Sequence, residues 1–81
     1  MRIEVRYFAS LVDATGVSRE TVELGGPASV ADLWAAVVGR HAGLAGLGFR
    51  PLVACDMAWV GWDEPLDGVR EVAFLPPVSG G

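Results

Sequence analysis

Apolar and polar residues alternate along 2–8, RIEVRYF: Ile3, Val5 and Tyr7 fall on one side, Arg2, Glu4 and Arg6 on the other. A period of two predicts a strand with one buried face. Phe8 breaks the pattern by putting an aromatic ring on the polar side. Residues 9–14, ASLVDA, fit one short helical turn stopped by Gly16, and 18–24, SRETVEL, predict a second strand around Thr21 and Val22, whose β-branched side chains suit a pleated surface. Gly25-Gly26-Pro27 turns the chain.

A different period begins at Val30. Val30, Leu33, Trp34, Val37, Val38 and His41 recur at helical spacing and predict one apolar face of a helix over about 30–41. Ser29 and Asp32 sit where a capping box would start it, with Asp in place of the usual Glu or Gln. Gly39 weakens its last turn, and Gly43, Gly46 and Gly48 predict a loop beyond it. Residues 52–55, LVAC, read as a buried strand, Asp56-Met57 as a tight turn, and 58–62, AWVGW, as a short strand or sheet edge. Pro65 and Asp67-Gly68 mark turns, and 70–75, REVAFL, predicts the last strand.

Strand, strand, helix, strand, short strand, strand suits an α+β fold: a mixed sheet with one main helix packed on one face. The first two strands can form an antiparallel hairpin, and the last can lie beside the first, which is the topology of the ubiquitin-like β-grasp. A ferredoxin-like split is disfavoured because only one long helix is predicted. The whole is expected to be one domain over 1–77, with a flexible Gly-Gly tail at 78–81.

The chain has 81 residues, of which 52 % are hydrophobic. So small a core does not readily absorb that much apolar material. Two readings stay open: a densely packed Ala/Val core, or apolar residues left outside for a partner. The net charge of −4 argues against nucleic acid and against an anionic membrane, which select basic patches. All six basic residues are Arg, so no side-chain amine is present for a Schiff base or an isopeptide bond. The single cysteine, Cys55, rules out an internal disulfide, and the single histidine, His41, excludes a His-rich metal site. No segment has the length of a membrane span or a signal peptide's apolar run, and the default expectation is a cytoplasmic protein.

Candidate chemistry inside the domain is sparse. Cys55 lies in an apolar strand and reads as a small core residue. His41 reads as a helix C-terminal residue favourable to the dipole. Asp63 and Glu64 read as a solvated turn, and the glycines match no phosphate-loop spacing. No self-contained active site emerges. There remains the end, EVAFLPPVSGG: a strand, a stiff Pro76-Pro77 pair, then Val78, Ser79, Gly80 and Gly81. The prolines donate no backbone hydrogen bond and hold φ near −65°, which ends a sheet and aims the next residues outward. Glycine lets backbone pass where no side chain fits, so the Gly81 carboxylate could enter a narrow active site.

EVAFLPPVSGG (71–81) closely resembles the C-termini of the MoaD/ThiS sulfur-carrier family of β-grasp proteins, the small subunits of molybdopterin synthase among them. VRYFASLVDATG (5–16), SVADLW (29–34) and LVACDMAWVGWDEPL (52–66) fall in register with the same family. Two local departures are Asp56, where the family usually shows Asn, and Asp67-Gly68-Val69-Arg70-Glu71, where it usually shows Asp-Gly-Asp-Glu.

The resemblance implies a sulfur carrier rather than a free-standing enzyme. An E1-like adenylyltransferase would use ATP to convert the Gly81 carboxylate to an acyl-adenylate. A sulfur donor would displace AMP and leave a thiocarboxylate. The carrier would then dock on the large synthase subunit, which holds the active site, and donate sulfur to cyclic pyranopterin monophosphate in molybdenum cofactor biosynthesis. The resemblance implies no bound cofactor or metal, and a working heterotetramer of small and large subunits. Pro76, Pro77, Val78, Ser79 and Gly80 would line or pass the partner's channel.

Phe8 and Leu75 are expected together on the open sheet face, as a docking surface; the competing reading tucks Phe8 under the 9–14 turn. The alternatives in function are a carrier for thiamin, cysteine or tRNA thiolation, a ubiquitin-like protein modifier, and an interaction module with an inert tail.

Overall fold

The computed structural model describes residues 1–77; the expected tail, Val78, Ser79, Gly80 and Gly81, lies outside the described residues. The alternating segment at the start forms β1, Arg2–Tyr7, and buries Ile3, Val5 and Tyr7 as its period requires. A short helix, α1 (Ser10–Thr15), ends at Gly16, whose φ of 80° lies in the left-handed region that glycine reaches without strain. Then come β2 (Arg19–Glu23), α2 (Val30–Arg40), a 3-10 helix (Ala42–Gly46), β3 (Leu52–Cys55), β4 (Ala58–Val60) and β5 (Glu71–Leu75).

The five strands form one mixed sheet in the order β2-β1-β5-β3-β4. Only β1 and β5 run parallel, with Val5 beside Val72 and Tyr7 beside Phe74; the other pairs are antiparallel. This is the expected β-grasp, with the last strand lying beside the first. Val5, Val72 and Phe74 from the sheet and Val30, Leu33 and Val37 from α2 are completely buried. Each such side chain contributes about 1.5–3 kcal/mol relative to exposure.

Helix α2 starts where the sequence places it. The Ser29 hydroxyl accepts from the Asp32 N–H at 3.4 Å, and the Asp32 carboxylate accepts from the Ser29 N–H at 2.8 Å. Asp therefore completes the capping box despite its shorter side chain. The β3–β4 turn has positive φ at both Asp56 (48°) and Met57 (72°), the hand that fits the twist of a tight hairpin. The Asp56 carboxylate accepts from the Glu71 N–H at 2.9 Å and the Arg70 N–H at 3.2 Å. The hairpin is thereby tied to the start of β5.

Two expectations need correction. The loop expected after α2 is a 3-10 helix because Leu44 is drawn into the core against the rest of the cluster. Gly43 is what lets it sit there: a Cβ on Gly43 would collide with the Ala14 carbonyl oxygen of α1. The strand expected over 58–62 stops at Val60. Beyond Gly61, Trp62 turns inward, edge-on to Trp34 at 5.6 Å and stacked near Phe74 at 6.0 Å between ring centres.

A polar network that the sequence does not announce ties β1, β2 and the end of α2. The Tyr7 hydroxyl donates to Glu20 Oε2 at 2.5 Å, and His41 Nε2 lies 2.7 Å from the same oxygen. Arg40 Nη1 stands 3.4 Å from Glu20 Oε1. Burial alone would raise the Glu20 carboxyl. The hydrogen bonds from Tyr7 and His41 and the charges of His41 and Arg40 outweigh it and hold the group below its ordinary 4.5. An ionised carboxylate can only accept, so His41 Nε2 carries a proton in either charge state. Burial, together with the Glu20 contact, pushes the Tyr7 hydroxyl well above its ordinary value and keeps it a donor.

Two glycines close in sequence have opposite expected responses to alanine. Gly39 lies inside α2 with open space at its Cβ position, so Gly39→Ala should stabilise by about 1 kcal/mol. Gly43→Ala should destabilise by about 1–3 kcal/mol through the backbone collision. Urea unfolding of both variants checks the contrast.

Glu20 gives a signed pH dependence. Its folded pKa is lowered, so its stabilisation is present above 4.5 and is lost as the pH falls from there through the lowered folded value. The Glu20→Gln variant should be less stable at neutral pH and should lose less stability than the unsubstituted chain on acidification. Denaturant midpoints measured across that range test both statements.

Candidate functional site

The end of β5 is where the candidate residues meet. β5 runs parallel to β1 and antiparallel to β3, so Leu75 lies beside Leu52 and close to the Phe8 end of β1. Pro76 and Pro77 come immediately after it. Neither has an N–H, so neither ladder can be extended past Leu75 by their donors. The chain leaves the sheet at the corner shared by Phe8, Leu75 and Leu52.

Alternation divides the residues of that corner between two faces. Val72 and Phe74 point to the core; Ala73 and Leu75 share the open face, as expected. Phe8 and Leu75 are both half-buried rather than fully exposed. Phe8 does not sink into the core beneath α1: the Arg6 guanidinium lies 5.1 Å from its ring centre. The two most exposed large apolar side chains stand farther across the sheet, Met57 at 93 % and Trp59 at 67 %, and Leu52, beside Leu75, is exposed as well.

Trp59 and Leu52 extend the surface in a way the sequence analysis missed. The signal was available. Leu52 alternates with Val53, and Trp59 alternates with Val60, so each belongs to the face opposite the core. The register makes this explicit, since Ala54 lies between Ala73 and Trp59. The open face thus has a charged half (Arg2, Glu4, Arg19, Glu23) and an apolar half (Phe8, Leu75, Leu52, Trp59) meeting near Arg6.

On the helix side of the same end lies an open groove of about 710 Å³ lined by Trp34, Val38, Leu44, Leu47, Phe49 and Arg50. The Arg50 guanidinium covers the Trp62 ring at 4.4 Å, a cation–π contact that closes one wall.

Other candidate chemistry finds no support among the described residues. Cys55 is buried; burial and then the Glu64 and Asp56 charges push its thiol up, away from the reactive thiolate. His41 belongs to the Glu20 network. No group of His, Cys, Asp or Glu among the described residues is placed to hold a metal ion, and no helix among them is long and apolar enough to cross a membrane. Asp63 and Glu64 form an exposed turn, as expected. Among the described residues, the arrangement offers a shaped surface beside the point where the chain leaves the sheet.

Comparison with known proteins agrees with this arrangement. The molybdopterin synthase sulfur carrier subunit of Homo sapiens is 32 % identical over an 83-residue alignment that covers 99 % of this chain and 94 % of that protein. The subunit of the same name from Chlamydomonas reinhardtii is 36 % identical, with 100 % of each chain covered. Among solved structures, SAMP1 from Haloferax volcanii matches with a TM-score of 0.86 at 29 % identity over 100 % of each chain. A complex of subunits 1 and 2 of the molybdopterin-converting factor from Helicobacter pylori contains a chain with a TM-score of 0.66 at 24 % identity, again over 100 % of each; that likeness is one of fold. The ThiS family itself matches residues 5–81, from the first strand through the Gly-Gly end. With the β-grasp sheet, the apolar open face and a match of this extent, the chain belongs to the ThiS family.

Proposed function

We propose that this chain is the sulfur-carrier subunit of a molybdopterin synthase. The observation that carries the reading is the full-length likeness to two sulfur carrier subunits of that enzyme, on a chain whose last strand is followed by Pro76-Pro77 beside an apolar face. In this reading Gly81 carries the reacting group. Its carboxylate attacks the α-phosphate of ATP on an E1-like adenylyltransferase and displaces pyrophosphate. The acyl-adenylate then loses AMP to a sulfur nucleophile, leaving a C-terminal thiocarboxylate.

A carboxylate is a poor electrophile, and adenylation supplies the leaving group it lacks. The thiocarboxylate must be kept from water until transfer, so it is delivered into a closed pocket of the large subunit. There it donates sulfur to cyclic pyranopterin monophosphate. Val78 and Ser79 contact the channel wall, while Gly80 and Gly81 pass the narrowest part. Phe8, Leu75, Pro76 and Pro77 belong to the docking surface, and the partners are the activating enzyme and the large subunit.

Intact-mass measurement after incubation with the activating enzyme, ATP and a sulfur donor tests the chemistry. A gain equal to the mass of sulfur minus oxygen, confined to the C-terminal peptide, is expected. A chain extended by one residue beyond Gly81 should show no gain. A ubiquitin-like modifier would instead yield isopeptide adducts on other proteins, and a gain of neither kind would sink the carrier reading.

Docking is tested separately. Leu75→Glu places a charge on the apolar face without touching the core side of β5. It should weaken binding to the large subunit by about tenfold or more while the thermal melt stays near that of the unsubstituted chain. Unchanged affinity in the folded variant would remove this face from the interface.

A further inference from the structure

One row of open-face positions crosses the whole sheet. It runs from Arg19 on β2 to Arg6 on β1, Ala73 on β5, Ala54 on β3 and Trp59 on β4. The middle of the row is two alanines, so its floor is shallow. A cation stands on one bank and an indole on the other. Three strand spacings separate them, about 14 Å.

Arg6 is the unusual member of this row. Its side chain is 40 % exposed, yet its Nε is buried and has no hydrogen-bond partner among the described residues. A buried donor left unpaired is uncommon and asks for an explanation. The position directly opposite on β2 is Arg19, a like charge that itself pairs with Glu4 at 3.3 Å. Glu71 approaches only to 3.9 Å from Arg6 Nη1, beyond hydrogen-bond distance. The guanidinium is nevertheless held in place, resting over the Phe8 ring at 5.1 Å. The Nε is closed to any partner, but the Nη end of the guanidinium, held in advance over Phe8 beside an apolar surface and with Glu71 short of hydrogen-bond distance, is arranged to receive a carboxylate.

We infer that Arg6 is a specificity anchor of the docking face: the partner protein presents a carboxylate to Arg6 and, about 14 Å away, an apolar hollow for Trp59. The inference rests on the carrier reading and names what that reading leaves open, the chemistry of the surface that fits this one. The partner supplies to the Nη nitrogens the acceptor that Glu71 does not bring within hydrogen-bond distance, and closure over the alanine floor excludes water from the new ion pair. The guanidinium loses little freedom on binding, because the Phe8 ring already holds it.

The test is calorimetric titration of the full chain with the large subunit from the same organism, at low and high salt. The Arg6→Leu variant enlarges the apolar strip, so a purely apolar interface would bind it at least as tightly. The expected result is the reverse: binding about tenfold weaker or more, with a flattened salt dependence. Arg6→Lys keeps the charge but loses the planar fork, and should fall between the two. Arg19→Leu should stay near the unsubstituted chain.

Arg6→Leu binding as tightly as the unsubstituted chain, with the same salt slope and the same thermal melt, would overturn the inference. A free chain that sediments as a dimer, and as a monomer once Arg6 is Leu, would overturn it by giving the face to a second copy. No binding by the unsubstituted chain would overturn the carrier reading itself, a result distinct from the other two.

Discussion

The parallel pairing of β1 with β5 at the centre of the sheet is the constraint on which the rest depends. Parallel strands need a long crossover rather than a tight turn, and here most of the chain lies between them, including α2 packed on one face. Because the pair is parallel, Tyr7 and Phe74 end up side by side, and the residues just past each strand emerge at the same edge. Phe8 and Pro76-Pro77 are neighbours for this reason. The same pairing commits Ile3, Val5, Val72 and Phe74 to the core and leaves Arg6, Ala73 and Leu75 on the other side. A one-residue slip would exchange those two sets, burying an arginine and exposing a phenylalanine.

Much of this could be read from the chain alone, since it derives from periods of two and of 3.6. β1, β5 and the apolar stripe of α2 are strongly patterned, and the capping residues Ser29 and Asp32 mark where the helix begins. Less legible were features set by contacts between distant residues. Glu20 looks like one polar position in a polar strand. Only the register places it on the face of Val22, opposite Val5, where a carboxylate needs partners and finds Tyr7 and His41. The 3-10 helix was hidden by its glycines, which locally resemble a loop. Its fold depends on Leu44 reaching the core and on Gly43 having no side chain to strike Ala14. Trp62 reads as part of a strand, yet the stacking around Trp34 and Phe74 wins over continuation of the β4 ladder. At the site, Phe8 was visible as a departure from alternation, and Leu75 followed from laying the last strand beside the first. Trp59 carried the signal of its alternation with Val60, and the register places it at the sheet edge beyond Ala54.

The apolar excess in the composition resolves in the same terms. The helix-facing side of the sheet absorbs one set of residues from each strand, and the aromatic cluster around Phe74 fills the remaining volume. Leu52, Met57 and Trp59 are left over on the open side, all from β3, β4 and their turn. Charged residues of the open face, in contrast, concentrate on β1 and β2. The surface is therefore polarised across the strands rather than along them, and the boundary falls at the central pair. An evenly mixed surface would favour solubility alone; a sharp boundary beside the chain's exit from the sheet gives a partner both an apolar contact and an orientation.

Orientation matters because of what a glycine-ended segment can and cannot contribute. Gly80 and Gly81 have no side chains, so threading them into a partner gains little contact while ordering them carries a large entropic cost. Under the proposed function, most of the free energy for insertion must come from the folded face. A wholly apolar strip could supply it, but a carrier passed from an activating enzyme to a synthase has to leave each in turn. A charged contact adds the choice of partner and an orientation to the affinity it contributes. A small apolar strip bordered by a held arginine suits that demand: it recognises and aligns, and it does not trap. The pairing of β1 and β5 fixes where Pro76-Pro77 leave the sheet relative to that face, and the prolines restrict the backbone at that point.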